Sequence, residues 1–197
     1  MSQRNSGYER KERDLYETPE WVTLAVKPYI PQGAVVWEPA CASGKIANVL
    51  AEDHAVYGTD VVATWEHGVT NKDFLLQTDL PELWNGERSG PVKPSAIVTN
   101  PPFNRMAEKF IRHGIGLLQP VKGWMAMLLP VDFDSGKTGR DMFGMCGGYA
   151  GKLVLTSRII WFERDDGTDN PSANHAWFLW DFSKKRQSPR IHYHYKD

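Results

Sequence analysis

The run Asn100-Pro101-Pro102-Phe103 directly follows a short apolar stretch, Ala96-Ile97-Val98-Thr99. Two prolines fix φ near about −65° and remove two N–H donors, so this turn is stiff and leaves carbonyls unpaired. Asn100 adds a side-chain carbonyl, and Phe103 a flat apolar face. Such a set suits a planar group that carries an exocyclic amine. Two other places have comparable chemistry. Glu38-Pro39-Ala40-Cys41-Ala42-Ser43-Gly44 is a carboxylate followed by small residues, which let a ligand approach the backbone. Asp60, followed by Val61 and Val62, is an acid suited to ribose hydroxyls.

These groups need elements to hold them. Thr18 reads as an N-cap with Pro19 at the first helical position, and Trp21, Leu24 and Ala25 give a helix ending near Lys27. Residues 34–37 read as a strand, and residues 45–51 as a helix with Ile46, Val49 and Leu50 on one face. Further strands are expected at 55–58, 96–99, 124–129, 152–162 and 176–182. A helix is expected at 105–118, through Met106, Phe110, Ile111 and Leu117. Short apolar strands alternating with helices predict an α/β fold with a mostly parallel sheet. In such sheets ligands bind at the carboxyl ends of the strands, which is where all three chemical groups fall.

Residues 1–13 read as a polar arm, residues 14–183 as a single domain and residues 184–197 as a basic and aromatic tail. His192, Tyr193, His194 and Tyr195 alternate like an exposed strand, but this end is read as disordered. Net charge is −1, so any nucleic-acid contact rests on local clusters: Arg10, Lys11 and Arg13, then Lys184, Lys185, Arg186 and Arg190. Two cysteines supply neither a disulfide framework nor a Cys-rich zinc site, and no metal is expected. No apolar run approaches the roughly 20 residues of a membrane span, so a cytoplasmic protein is expected. Gly136-Lys137-Thr138 is not a phosphate loop, because Val131 stands where that motif needs glycine.

Together these features resemble the amino-methylating branch of the S-adenosylmethionine-dependent methyltransferases, the DNA N6-adenine enzymes in particular. Asp14-Leu15-Tyr16-Glu17-Thr18-Pro19 is similar to that family's N-terminal cofactor motif, which implies cofactor contacts for Tyr16 and Thr18. The resemblance makes Glu38, Pro39, Ala40, Ser43 and Gly44 the cradle for the methionine part of the cofactor. It places Asp60 on the ribose, and Asp73 and Phe74 on the adenine of the cofactor. Asn100, Pro101, Pro102 and Phe103 match the catalytic motif. The match is good over residues 14–130 and loose beyond.

The resemblance implies a Rossmann-like class I methyltransferase fold, a twisted sheet with helices on both faces. It also implies S-adenosylmethionine as cofactor and nucleic acid as partner, DNA ahead of RNA. The expected reaction is methylation of adenine N6. Alternatives are the same chemistry on adenine in RNA or on a protein glutamine amide, and an inactive binding module of the same fold. Two departures from the family stand out. Ala42 replaces the usual glycine, and no insertion is long enough for a separate target-recognition region. The latter fits a compact, phage- or prophage-like solitary enzyme of short or low specificity.

Overall fold

Residue alternation along the strands decides which layer each side chain joins. Val36, Ala96, Val98, Ala126 and Leu128 belong to one buried cluster, and Trp37, Ile97, Met125, Met127 and Leu129 to another. That is the period of two that a pleated strand imposes. Because both sets are buried, the sheet is covered on both faces.

The computed structural model describes residues 16–83, 90–102, 105–136, 139–161, 173–185 and 188–196. Its strands are β1 (Val35–Glu38), β2 (Ala55–Gly58), β3 (Ala96–Thr99), β4 (Trp124–Pro130), β5 (Tyr149–Leu155), β6 (His175–Asp181) and β7 (Arg190–His194). They form one sheet in the order β2-β1-β3-β4-β6-β5-β7. β6 runs antiparallel to both neighbours, and every other pairing is parallel. The chain builds β2 on one side of β1 and β3 on the other. The order therefore reverses between β1 and β3, which opens a crevice at their carboxyl ends.

Helices α1 (Glu20–Val26) and α2 (Lys45–Leu50) place Val22, Val26, Ile46 and Leu50 in the first cluster. Helix α3 (Arg105–Leu118) places Ala107, Phe110, Ile111 and Leu118 in the second. Each such buried Val, Leu, Ile or Phe side chain contributes about 1.5–3 kcal/mol of transfer free energy. The large indoles also satisfy their donors. Trp37 Nε1 donates to Thr59 Oγ1 at 2.9 Å, Trp177 Nε1 to the Val22 carbonyl at 2.8 Å, and Trp180 Nε1 to the Met142 carbonyl at 2.9 Å.

β2, β3 and α3 lie on the expected residues, and β1 and β4 within one residue of them. The first helix differs at its start: Pro19 is the N-cap, in extended conformation, with no side-chain cap bond. The Thr18 hydroxyl is engaged elsewhere, on Asn100. After Val26 the chain tightens into a 3-10 turn, Lys27–Tyr29, that takes in Pro28. β5 starts earlier than expected and ends at Leu155, because Tyr149 and Gly151 pair with β6 through a bulge. The expectation of a disordered end fails for Arg190–His194, which is edge strand β7. His192 meets Tyr29 edge-on at 5.2 Å, and His194 stacks on Trp21 at 6.3 Å, so one side of the strand is anchored.

Candidate active site

A cavity of about 550 Å³ opens at the carboxyl ends of β1, β2 and β3. That volume is in the range of small-molecule sites. Its wall includes Glu38 from the end of β1, Asp60 just past β2, and Asn100, Pro101 and Pro102 just past β3. Tyr16, Glu17 and Thr18 also line it. The three chemical groups of the sequence thus meet in one place.

The loop between β1 and α2 is folded by short backbone bonds. The Thr59 N–H donates to the Glu38 carbonyl at 2.9 Å, the Cys41 N–H to the Thr59 carbonyl at 3.0 Å, and the Gly44 N–H to the Cys41 carbonyl at 2.6 Å. Ala42 has a φ of +43°, a left-handed conformation. Its N–H donates to Asp60 Oδ2 at 3.0 Å, and its carbonyl accepts from Thr64 N at 2.9 Å and Trp65 N at 3.0 Å. Asp60 Oδ1 accepts from Val62 N at 3.0 Å. Each carboxylate oxygen retains a second lone pair for a ligand hydroxyl.

Glu38 is 2% exposed, and its Oε2 has no partner among the described residues. Burial pushes this carboxyl well above the ordinary carboxylate range, and the neighbouring Asp60 charge adds to it. A backbone hydrogen bond at Ala47 acts the other way. Burial, with help from Glu38 and Asp60, also pushes the Cys41 thiol up to about 12, so Cys41 is no nucleophile. The lining carries three acids, Glu17, Glu38 and Asp60, against one cation, Lys45.

Asn100 is oriented by its neighbours. Its Nδ2 donates to the Tyr16 carbonyl at 3.3 Å and to Thr18 Oγ1 at 3.2 Å. Its Oδ1 is buried without a partner among the described residues. The Tyr16–Thr18 segment is held at its other side by Glu17, whose Oε1 accepts from Ser43 Oγ at 2.5 Å.

Not every expected residue joins the cavity. Pro39 is buried beside it without forming its wall. Gly44 is also outside the wall, and a Cβ there would fall within the Trp65 ring. Its glycine serves that internal side chain. Asp73 and Phe74 stand apart from the cavity. Asp73 accepts from Leu75 N at 2.9 Å to start a 3-10 turn. Phe74 is buried against Trp37, Phe110 and His113. Phe103, like Arg10, Lys11, Arg13, Asp14, Leu15, Lys137, Thr138, Phe162 and Arg186, lies outside the described residues.

Other cavity residues escaped sequence reasoning: Glu17, Lys45, Ile46, Val61, Val62 and Thr64. Their signal was adjacency, since each sits within a few residues of an expected contact. Trp65 had no such signal. It is buried on Cys41 and Ala47 and donates to Asn48 Oδ1 at 2.9 Å. The Lys184–Lys185 pair follows Asp181, which registers with Trp124 at the start of β4. That places these cations at the amino ends of the parallel strands, opposite the cavity.

No protein-family model matches the chain, and no curated protein matches it. Solved structures do. A protein from Listeria monocytogenes, described as a class I S-adenosylmethionine-dependent methyltransferase, superposes with a TM-score of 0.64 at 11% identity, covering 96% of this chain and 68% of its own. The methyltransferase subunit of a type I restriction-modification system from Streptococcus thermophilus gives 0.60 at 15% identity, covering 94% and 48%. This chain has the class I methyltransferase fold. A protein from Pyrococcus horikoshii described as an RNA methyltransferase gives 0.60 at 11%, covering 84% and 87%. The chain spans about half the length of the type I subunit. Among the described residues no helix is long and apolar enough to cross a membrane.

The fold implies S-adenosylmethionine, which is cationic at its sulfonium and its ammonium. The cavity fits such a ligand. Its wall has an excess of acids, and the orphaned Glu38 carboxyl lacks a cation among the described residues.

Proposed function

We propose that this protein transfers a methyl group from S-adenosylmethionine to the exocyclic N6 of adenine in nucleic acid, DNA ahead of RNA. The observation that carries the reading is the Asn100 amide. Its nitrogen is held by Tyr16 and Thr18, which leaves the Oδ1 acceptor without a partner at the cavity wall.

S-adenosylmethionine, when bound, supplies an electrophilic methyl on a sulfonium. Glu38, Ala40, Ser43 and Asp60 are the residues that would hold it. An adenine amine is a poor nucleophile because its lone pair is delocalised into the ring. Acceptors aimed at its two hydrogens favour a pyramidal nitrogen and offset the charge that develops there. Asn100 Oδ1 and the Pro101 carbonyl are those acceptors in this reading. The base must leave its stack to reach them, which costs a few kcal/mol and least in single strands. Positioning is then the main catalytic contribution, and the methylated nitrogen afterwards loses its extra proton to water.

A protein glutamine amide is the second reading, favoured by one observation. The Lys184–Lys185 cations lie at the end of the sheet away from the cavity, so they do not bring a nucleic-acid backbone to it.

The test is incubation with methyl-labelled S-adenosylmethionine and unmethylated genomic DNA, followed by digestion to nucleosides. Label in N6-methyladenine, lost in Asn100→Ala, is the expected result. Label in glutamine of a protein extract and none in DNA would transfer the assignment to the second reading. Absence of calorimetric binding to S-adenosylmethionine would remove both.

A further inference from the structure

We propose that Thr18 is a positioning residue for the Asn100 amide, acting on the catalytic acceptor rather than only lining the cofactor cavity. The inference rests on the proposed transfer to an amine. Thr18 is 3% exposed, and it does not cap the helix that follows it. Its Oγ1 is instead 3.2 Å from Asn100 Nδ2, beside the Tyr16 carbonyl at 3.3 Å.

The chemistry of these partners fixes the amide. A backbone carbonyl can only accept, so the group facing Tyr16 must be the NH2. A flipped amide would set Oδ1 against the Tyr16 carbonyl oxygen, lone pair against lone pair, and would turn the NH2 towards the place the amine must occupy. A donor there repels an amine hydrogen instead of accepting it. The Tyr16 carbonyl therefore chooses which end of Asn100 meets the substrate. The Thr18 hydroxyl accepts from the NH2 so placed and holds the amide in position, and it is the contact that a side-chain substitution can remove.

Thr18→Val keeps the shape and removes the acceptor. The expected result is a kcat lower by about tenfold, the size of one hydrogen bond holding the amide in place, with the dissociation constant for S-adenosylmethionine within about twofold of wild type. Thr18→Ser should restore most of kcat.

A second measurement needs no substrate. The 15N resonance pair of the Asn100 side-chain NH2, identified by its disappearance in Asn100→Asp, should shift and exchange faster in Thr18→Val but not in Thr18→Ser. These spectra decide the matter where Thr18→Val is too slow to assay. An unmoved resonance pair overturns the proposal, even with adenine methylation intact. So does a rise in the cofactor dissociation constant that matches the loss of kcat. If DNA receives no label while the resonance moves, the amide contact stands and the adenine reading fails.

Discussion

Ala42→Gly should make this protein more stable, against the usual direction of such a change. Ala42 has a φ of +43°, where an L residue with a Cβ is disfavoured by about 1–2 kcal/mol. Glycine adopts that conformation freely but loses about 0.5–1 kcal/mol more chain entropy on folding. The midpoint of that balance is a gain of about 0.75 kcal/mol. The rest of the loop has no reason to move, because both ends of this peptide are held by Asp60, Thr64 and Trp65. In a domain of this size, about 1 kcal/mol is worth about 2–4 °C in Tm, so a rise of about 1–4 °C is expected. Urea titration should show the midpoint rising with an unchanged slope. Ala47→Gly, at a buried position in right-handed α2, is the control and should lose about 1 kcal/mol or more. A lower Tm for Ala42→Gly would refute the assignment of strain to this residue.

Three other substitutions probe separate features. Gly44→Ala puts a Cβ at φ +80° into the Trp65 ring and should cost roughly 2–4 kcal/mol in urea titration; a loss below about 1 kcal/mol would show that Trp65 packs elsewhere. Glu38 binds its proton more tightly folded than unfolded, so its contribution is full below the unfolded value of 4.5 and declines as pH rises towards the raised folded value. Glu38→Gln should flatten that decline and exceed wild type in stability at pH 7; parallel stability profiles from pH 4 to 8 would contradict it. Gly151→Ala, at φ +129°, drives a Cβ into the Arg190 backbone and should detach β7. Hydrogen exchange would then accelerate at residues 190–194 and leave β1, β3 and β4 protected.

The sheet centre was legible because its strands are short apolar runs bounded by turn formers. β2 and β3 coincide with the expected residues, and so does α3, whose apolar spacing is helical. Glu38, Asp60 and Asn100 were legible as chemistry at strand ends, and the sheet order brings them together. Residues 61–83 were not, because they contain only turns, one short 3-10 helix and isolated bridges and show no periodicity. Phe74 was assigned to a ligand although Trp37 and Phe110 enclose it, contacts made by distant elements. The direction of β6 is likewise absent from its apolar pattern, and that direction decides where Lys184 and Lys185 lie. β7 was missed because an edge strand with one anchored side has the composition of a tail.

The indole of Trp177 in β6 holds the carbonyl of Val22 in α1, across 155 residues of chain. The segment that orients Asn100 leads directly into that helix. On a ribosome, α1 could pack on α2 early but would lack this bond until nearly the whole domain had been synthesised, after β1, β2 and β3 had emerged. Contacts of such long sequence separation form late in folding. The Asn100 amide would gain its orientation only then, after the strands that flank it had been made.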